Sequence, residues 1–310
     1  MMWLPPWLAK AYARIYLTKK TMTFDFSEAG EILGIKDERP LAKTLAKLKS
    51  HGYLITRRDP VDPRRKLFTL IDPESSVLAM AIQSKAKTDG LTSKIAAASG
   101  LLDYYVDGAY AANQYHHYSA PGRTDISVRK DQLPIWIALV SGKTTALSID
   151  DIPAERGAEN NVHLRADFDE KLSEHARVID GIRFLSPEIL VISGLAEENL
   201  SLEDVLAILV VYRAGLDWKN LLELSQAYNA TRFLGCLLDV LNFEAHKPLF
   251  GKSLIGRMLR RSNLDARLDF PVSMRNQPVE KLYEAISSKW NLRVHLTHAL
   301  VSKVLTDLVR

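Results

Sequence analysis

The residues of this chain best suited to chemistry lie between Val106 and Val128. A Gly108-Ala109 turn follows one β-prone segment, and Asp125 and Ser127 occupy alternate positions of a second. Alternate residues of a strand point to the same face, so two carboxylates at this spacing would together hold the divalent metal ions that bridge nucleotide phosphates. Here serine stands at the second position. Because one carboxylate and a serine hold Mg²⁺ poorly, the segment predicts a phosphate-transfer site that lacks part of its catalytic set.

The segments around these residues alternate between strand-like and helix-like patterns. Strands are predicted at residues 104–106, 125–128 and 135–140, and a helix is predicted at 109–118. Such alternation indicates an α/β layer rather than a helical bundle. The overall expectation is an α+β chain of several domains.

The segment from Val106 to Val128 resembles the active-site signature of nucleotidyltransferases. That signature consists of a Gly-(Gly/Ser) turn, a short helix and a strand that reads Asp-apolar-Asp/Glu. Arg123-Thr124-Asp125-Ile126 also resembles the Arg-x-Thr-x-Asp-Ile stretch of bacterial and archaeal nucleotidyltransferase-like proteins, with one spacer residue absent. Ala109, Ser127 and the lack of a lysine in residues 192–195 depart from the active pattern. These departures predict a degenerate site with neither a catalytic residue nor a metal. The alternative is an active nucleotidyltransferase that uses Mg²⁺ and a nucleoside triphosphate on RNA or protein.

Length and composition limit the class of protein. A chain of 310 residues with 47% apolar content predicts two or three packed domains. Cys236 is the only cysteine, which excludes an internal disulfide and fits a reducing cytosol. There is no long uncharged apolar run, so we expect a cytoplasmic protein with no membrane partner.

Positive charge is concentrated in the first quarter of the chain. Residues 1–75 contain fourteen Lys and Arg against nine Asp and Glu, a net charge of +5, whereas the whole chain carries +4. The remaining residues are therefore close to neutral. This asymmetry predicts a polyanion-binding surface in the first quarter.

Three helices are predicted in this first quarter. The first covers residues 7–17, the second begins after Ser27 as N-cap and stops at Gly34, and the third covers 39–50. In the third helix Leu41, Leu45 and Leu48 lie on one side. Arg39, Lys43 and Lys47 follow one another at intervals of four on the other side, with small Ala42 and Ala46 beside them. A cationic helix with small residues between its charges is suited to the DNA major groove, although a solvated amphipathic helix has the same pattern.

Two β-prone runs at residues 53–56 and 66–70 predict a hairpin with a basic tip. Asp62 is expected to orient Arg64 at this tip through a charge-assisted bond. Asp59-Pro60-Val61-Asp62-Pro63-Arg64 resembles the wing tip of MarR-type winged-helix repressors. The order of elements predicts a winged helix that binds double-stranded DNA, rather than one used only for protein contacts. The wing cations expected to meet DNA phosphates are Arg57, Arg58, Arg64 and Arg65.

Further along the chain, Asn161-Val162-His163-Leu164-Arg165 and the run from Val178 to Glu188, with Asp-Gly-Ile and Ser-Pro-Glu, resemble the corresponding segments of AbiEi antitoxins of type IV toxin-antitoxin systems. The resemblance covers about residues 20–245. It implies a transcriptional autorepressor encoded beside a nucleotidyltransferase-type toxin. The candidate protein partners are this toxin and a second copy of the chain. The predicted domains are a winged helix at 1–75, a linker helix at 76–100, a nucleotidyltransferase-like domain at 101–200 and a helical region at 201–310.

The remaining candidates have weaker patterns. Gly142-Lys143-Thr144 and Gly251-Lys252-Ser253 lack the earlier glycine of a phosphate-binding loop, so both are predicted to be ordinary loops. His116 and His117 are adjacent on a predicted helix and point in different directions, so they are poor joint metal ligands. His295 and His298 have helical spacing, but no third metal ligand accompanies them. Leu292 to Val309 is predicted to form a closing amphipathic helix. The basic cluster Arg257, Arg260 and Arg261 fits a second anion contact or a solvated face, of which the solvated face is favoured.

Overall fold

The computed structural model describes residues 4–59, 62, 64–86, 88, 90–118, 121–140, 145–149, 160–197, 199–269 and 281–308. The chain forms two compact units, and each is built from two stretches. Unit 1 comprises Met1–Val106 and Gly122–Phe184, and unit 2 comprises Asp107–Pro121 and Leu185–Arg310. Helices and several sheets occur together, so the fold is mixed α and β.

The first part of unit 1 combines three helices with a small sheet. Its sheet has the order β1-β3-β2, and both pairings are antiparallel. Leu8, Ile15, Phe24, Leu48 and Leu54 form the centre of its apolar core. The elements are α1 (Pro6–Lys19), β1 (Phe24–Asp25), α2 (Phe26–Leu33), α3 (Glu38–Ser50), β2 (Leu54–Arg58) and β3 (Lys66–Leu70). The three predicted helices and the predicted hairpin are therefore observed, with small shifts at their ends.

The start of α2 differs from the prediction. Asp25 rather than Ser27 is the N-cap, because its carboxylate accepts the backbone N–H of Glu28 at 2.9 Å while Glu28 accepts the N–H of Asp25 at 2.9 Å. This reciprocal capping box satisfies two N–H groups that the helix leaves without partners. The end of α2 agrees with the prediction, since Gly34 takes the left-handed backbone with φ of 69°.

The second part of unit 1 is organised by a six-stranded sheet with the order β6-β7-β5-β4-β9-β8. The β5–β7, β6–β7 and β4–β9 pairs are parallel. Its strands are β4 (Tyr104–Asp107), β5 (Thr124–Val128), β6 (Thr145–Ile149), β7 (Asn160–Arg165), β8 (Ala176–Ile179) and β9 (Ile182–Leu185). The accompanying helices are α4 (Pro73–Gln83), α5 (Leu91–Ala98), α7 (Leu133–Val140) and α8 (Glu170–Glu174). The alternating α/β layer is thus present.

The strand predicted at residues 135–140 is wrong, because these residues belong to helix α7. A short run that is apolar throughout fits a buried helix as well as a buried strand. The residues from Trp136 to Val140 are buried, and α4 packs against this helix. Gln83 at the end of α4 donates to the carbonyl of Leu139 at 3.0 Å.

The single linker helix predicted at residues 76–100 is also wrong. The described residues form two helices there, of which α4 ends at Gln83 and α5 begins at Leu91. Thr88 and Gly90 are poor helix formers, and the Thr88 hydroxyl bonds the Ser93 hydroxyl at 2.8 Å instead. Both helices pack against α7, so the segment is part of unit 1 rather than a free connection.

Unit 2 is largely helical. Its helices are α6 (Gly108–His116), α9 (Pro187–Ala196), α10 (Leu202–Val211), α11 (Trp218–Ala227), α12 (Thr231–Glu244), α13 (Lys252–Arg261), α14 (Glu284–Trp290) and α15 (His298–Leu308). A short 3-10 helix, Lys281–Tyr283, precedes α14, and β10 (Leu268–Asp269) pairs in parallel with β11 (Leu292–Arg293). The closing helix therefore begins at His298 rather than Leu292. Among the described residues, none of these helices combines the length and apolar character needed to span a membrane.

Candidate nucleic-acid interface and polar sheet face

The outer side of α3 carries a cationic row formed by Arg39, Lys43 and Lys47. All three side chains are exposed, together with Ala42 and Ala46. The apolar positions of the same helix (Leu41, Leu45 and Leu48) are buried at 3%, 3% and 0% exposure. Because burial fixes the rotation of the helix, the cationic row points away from the core along its whole length. The structure thus brings together the three cations that the sequence placed on one face.

One member of the cationic row contacts a neighbouring helix. The ammonium of Lys47 lies 5.2 Å from the centroid of the Trp7 ring on α1. This distance is within the range of a cation–π interaction. The contact restrains the side chain without neutralising its charge.

The hairpin formed by β2 and β3 presents cations in two environments. Arg58 and Arg64 are exposed. Arg57 is half-buried, and its guanidinium donates to the hydroxyl of Thr23. Arg57 therefore holds the hairpin against the strand region of β1, whereas Arg58 and Arg64 extend into solvent. Pro60, Val61 and Pro63 of the predicted wing tip lie outside the described residues.

Asp62 shapes the hairpin turn instead of orienting a guanidinium. Its carboxylate accepts the backbone N–H of Arg64 at 3.0 Å, and its carbonyl accepts the N–H of Arg65 at 2.9 Å. The expected charge-assisted bond from Asp62 to the Arg64 side chain is therefore replaced by backbone hydrogen bonds. This leaves the Arg64 side chain exposed at the tip.

Arg65 forms an ion pair with Asp25, the N-cap of α2. The Asp25 side chain is 12% exposed and that of Arg65 is 57% exposed, so the carboxylate is sheltered while the guanidinium reaches the surface. The backbone N–H of Glu28, followed by Arg65, holds the pKa of Asp25 below its ordinary value. The pair joins the hairpin to the start of α2 across 40 residues of sequence, and no sequence pattern indicated it.

A groove of about 940 Å³ lies between the hairpin and the α2–α3 corner. Lys36 lies on the corner side, and Arg64, Arg65 and Lys66 lie on the hairpin side. Three carboxylates (Asp25, Glu31 and Glu38) also line it, and Glu31 and Glu38 lie on the corner side with Lys36. The hairpin side, with Arg64, Arg65 and Lys66, is therefore the part of the groove that suits a phosphate backbone.

Replacing Asp25 by alanine is expected to lower the free energy of unfolding by about 1–2 kcal/mol, because the change removes a helix N-cap and the partner of Arg65. Asp25→Asn keeps a capping oxygen and loses only the charge, so it is expected to cost less. The pKa of Asp25 is lowered by folding, so its charge stabilises the fold fully above the ordinary carboxyl pKa of about 4. That contribution disappears as the pH falls through the lowered pKa.

Urea unfolding of the full chain and of the Asp25→Asn variant at pH 6 and at pH 3 measures this contribution. The difference in unfolding free energy between the two proteins should shrink at pH 3. A difference that is the same at both pH values would show that the Asp25 charge does not stabilise unit 1.

The six-stranded sheet carries a row of polar side chains, here called the polar sheet face, on three adjacent strands. In the β5–β7 pairing Asp125 lies opposite His163 and Ser127 lies opposite Arg165, while Ser148 on β6 lies opposite His163. The Ser148 hydroxyl and His163 Nδ1 are 2.8 Å apart. The guanidinium of Arg165 donates to the Ser127 hydroxyl at 2.8 Å. Asp125 and Ser127 are 7% and 0% exposed, so this face is packed.

The polar sheet face does not fit the two-carboxylate metal site of an active nucleotidyltransferase. Asp125 is 2.8 Å from the guanidinium of Arg123, and Arg165 lies beside Ser127 and is 3.4 Å from Asp167. A guanidinium therefore stands where a second carboxylate would hold Mg²⁺, and two cations at one position repel each other. We derive no catalytic step through a metal at this face.

The turn residues of the predicted motif lie in unit 2. Gly108 and Ala109 are the first two residues of α6, and Gly108 has φ of 61°. This left-handed backbone is one that glycine adopts at little cost. Gly108 thus shapes the turn between β4 and α6, as the sequence predicted for a strand–turn–helix.

The loop predicted at Gly251-Lys252-Ser253 is wrong, because Gly251 is the N-cap of α13 and Lys252 is its first residue. Gly142-Lys143-Thr144 lies outside the described residues. His116 Nδ1 accepts the N–H of Tyr118 at 2.9 Å and its Nε2 is 3.2 Å from Asp204. His298 lies 2.7 Å from Glu244, whereas His295 lies 3.6 Å from Asp269. The described residues contain no group of three or more His, Cys, Asp or Glu side chains that could hold a metal ion.

No protein-family model and no curated protein matches the chain. Among solved structures, the crystal structure of the RV2827C protein from Mycobacterium tuberculosis aligns with 98% of this chain and 96% of that chain, at 13% sequence identity and a TM-score of 0.41.

Proposed function

We propose that this chain is a DNA-binding transcriptional regulator whose first unit contains a winged helix. The observation that carries the proposal is the cationic row of α3, which is exposed along one side while the other side is buried. The order α1-β1-α2-α3-β2-β3 and the small antiparallel sheet support it, because a winged helix places its elements in this order. In this proposal α2 and α3 are the helix-turn-helix and the β2–β3 hairpin is the wing.

The proposed mode of binding assigns different roles to the two cationic surfaces. The third helix enters the major groove, where Arg39, Lys43 and Lys47 reach base edges and phosphates. Ala42 and Ala46 beside them allow the helix to approach the DNA closely. Arg58 and Arg64 on the wing contact the backbone or the minor groove.

Two wing arginines act partly through contacts within unit 1. Arg57 bonds Thr23, and Arg65 pairs with Asp25 at the start of α2. We propose that Arg65 positions the wing relative to the helix-turn-helix while its exposed guanidinium edge faces a phosphate. A network that fixes binding elements before contact reduces the entropy lost on association.

We also propose that the regulator is of the AbiEi antitoxin type. Its six-stranded sheet is then a nucleotidyltransferase-like core used for shape and binding. The contact between Arg165 and Ser127 supports a degenerate site. The proposed partners are double-stranded DNA, a nucleotidyltransferase-type toxin encoded nearby, and a second copy of the chain, since two-fold operators match two-fold proteins.

Fluorescence anisotropy with the full chain tests the proposal. The labelled duplexes carry either the DNA immediately upstream of the chain's own gene or a scrambled sequence of the same length and composition. A specific regulator is expected to bind the upstream duplex about 1,000-fold more tightly or better at physiological salt. Equal affinity for the two duplexes would contradict regulation of its own gene.

A further inference from the structure

We propose that helix α13 of unit 2 is a second DNA-binding surface that contacts backbone phosphates without reading sequence. The surface formed by its four cations is called the α13 face, and these cations are Lys252, Arg257, Arg260 and Arg261. The inference rests on the proposed function for the class of its ligand, but the residues and the unit that carry it are different.

The sequence around α13 has an unusual balance of charge. Between Lys247 and Leu264 there are five Lys and Arg and no Asp or Glu, although the whole chain has 41 cationic and 37 acidic residues. A solvated helix in such a chain would be expected to mix the two signs, because pairs of opposite charge three or four residues apart stabilise it. Here Arg257 is followed at those spacings by Arg260 and Arg261, which repel it. Arg260 and Arg261 lie in the last turn of α13, where the helix dipole favours cations, but no acidic residue of the helix neutralises any of its four cations.

The start of α13 gives independent support. Lys252 is its first residue, and the first turn contains no acidic side chain. The N-terminus of a helix carries partial positive charge and favours acidic residues. A cation at this end is unfavourable for the helix alone and becomes favourable when an external anion lies beside it.

Packing turns every cation of the α13 face outward. Leu254, Ile255 and Met258 are buried at 8%, 4% and 0% exposure. The exposed positions of the helix are Lys252, Ser253, Arg257, Arg260 and Arg261. Arg261 also donates to the side chain of Gln226 at 3.2 Å, which orients it.

Gly256 repeats a feature of the cationic row of α3. It lies four residues after Lys252 and four before Arg260, so a residue without a side chain separates two cations along one line of the helix. Glycine in a helix interior is unfavourable, and an added Cβ would find its nearest neighbour at 3.6 Å, so packing does not require glycine here. A small residue between cations allows a phosphate backbone to approach the helix closely.

A cleft of about 570 Å³ beside α13 extends this surface. Lys247, Lys252 and Lys289 line it, with Gly256 on the α13 side. Asp239 also lines the cleft and pairs with Lys289. The cleft thus adds cations from outside α13 to the α13 face.

These features favour nucleic acid over an acidic protein as the ligand. The exposed positions of α13 include no large apolar side chain, whereas protein interfaces depend on buried aromatic or aliphatic anchors. The adjoining cleft includes the half-exposed Phe243, but the exposed positions of α13 itself carry only arginine, lysine and serine, the composition of a phosphate-binding surface. The ligand we assign is double-stranded DNA, contacted at its backbone.

The test uses the full chain and a labelled upstream duplex of about 40 base pairs, roughly four helical turns. Anisotropy titrations at four salt concentrations give the dissociation constant and its salt dependence. The Arg257→Ala/Arg260→Ala variant should bind about 3- to 30-fold more weakly at physiological salt. The slope of log Kd against log salt should fall by about two, close to one for each phosphate that the variant no longer neutralises.

The matched control is Lys219→Ala/Lys303→Ala, which removes two positive charges from unit 2 outside α13 and should leave both quantities unchanged. Circular dichroism and thermal unfolding check that each variant is folded. If Arg257→Ala/Arg260→Ala binds DNA with wild-type affinity and slope, the inference is wrong, and an acidic protein becomes the better ligand. The inference is equally wrong if the control weakens binding as much as the α13 variant does.

The variant Lys43→Ala/Lys47→Ala separates this inference from the proposed function. Weakening by the α3 pair but not by the α13 pair overturns the α13 inference alone. Weakening by the α13 pair but not by the α3 pair supports the α13 inference and overturns the winged-helix proposal.

Discussion

Alanine at both Lys43 and Lys47 is expected to weaken binding of the full chain to its own upstream DNA by about 30-fold or more. Each side chain in the proposed mode makes a groove contact worth about 1–3 kcal/mol. Both are exposed, so their removal does not disturb the buried side of α3. The ratio of affinities for the upstream and scrambled duplexes should also fall, because fewer bases are contacted. The binding constant should depend less steeply on salt, because fewer phosphates are contacted. Anisotropy titration with the upstream and scrambled duplexes measures both effects.

The control for this prediction is Lys130→Ala/Lys171→Ala, which removes the same charge from exposed positions of unit 1 outside the cationic row. It should retain wild-type affinity within about twofold, because distant surface charges contribute little through salt solution. Equal weakening by the two pairs would mean that net charge, and not the cationic row, determines binding.

The largest expected effect on stability comes from Gly235→Ala in α12. A Cβ at Gly235 would lie less than 3.0 Å from three carbon atoms of the Trp290 indole. Trp290 is fully buried, and its indole N–H donates to Asp239 at 2.6 Å, so the ring is held in place. Overpacking of this kind costs about 1–3 kcal/mol and here should lie near the upper end. Alanine recovers about 0.5–1 kcal/mol of helix propensity, so the net decrease in unfolding free energy should be about 2 kcal/mol.

Gly256→Ala in α13 is the matched control. It is also a mid-helix glycine, but the nearest atom to its added Cβ is 3.6 Å away. This variant should be more stable than the wild type by about 0.5–1 kcal/mol. Urea unfolding and hydrogen exchange of the α12 amides measure the two effects.

The double variant Gly235→Ala/Trp290→Phe provides a further check. The smaller ring removes the atoms that the new methyl group would contact, so the two changes should cost less together than the sum of the single changes. Simple additivity, or a stabilising effect of Gly235→Ala alone, would contradict the packing described for α12 and α14.

Local patterns predicted the elements that rest on strong periodicity. Leu41, Leu45 and Leu48 are spaced for one helix face, and burial of that face turned Arg39 and Lys43 outward as expected. The hairpin was predicted from two β-prone runs at the correct positions. In each case residues close together in the sequence determine the element, so the sequence alone was sufficient to predict it.

The prediction failed where several structures satisfy the same local pattern. Residues 135–140 are apolar throughout, so the sequence did not distinguish the buried helix α7 from a strand. The residues from 292 onward begin with strand β11 because Leu268 and Asp269 provide a partner far away in the sequence. Tertiary pairing of this type leaves no local signal.

The candidate site was likewise only partly predictable. The cations of α3 and the hairpin could be named from spacing, but the ion pair of Arg65 with Asp25 joins residues 40 positions apart. The contact of Arg165 with Ser127 depends on the register of β5 and β7. The sequence predicted a serine in place of a second carboxylate at Ser127, whereas only the strand register places the Arg165 guanidinium beside it.

The most direct test of the central proposal is a footprint of the full chain on the DNA upstream of its own gene. Hydroxyl-radical cleavage should show protected backbone positions repeating about every 10 base pairs along one side of the duplex, as expected for a protein that docks in successive grooves. The Lys43→Ala/Lys47→Ala variant should lose this protection at the same protein concentration. Absence of any protected segment for the wild-type chain, at concentrations where it is folded, would contradict the proposal that this protein regulates transcription by binding its own upstream DNA.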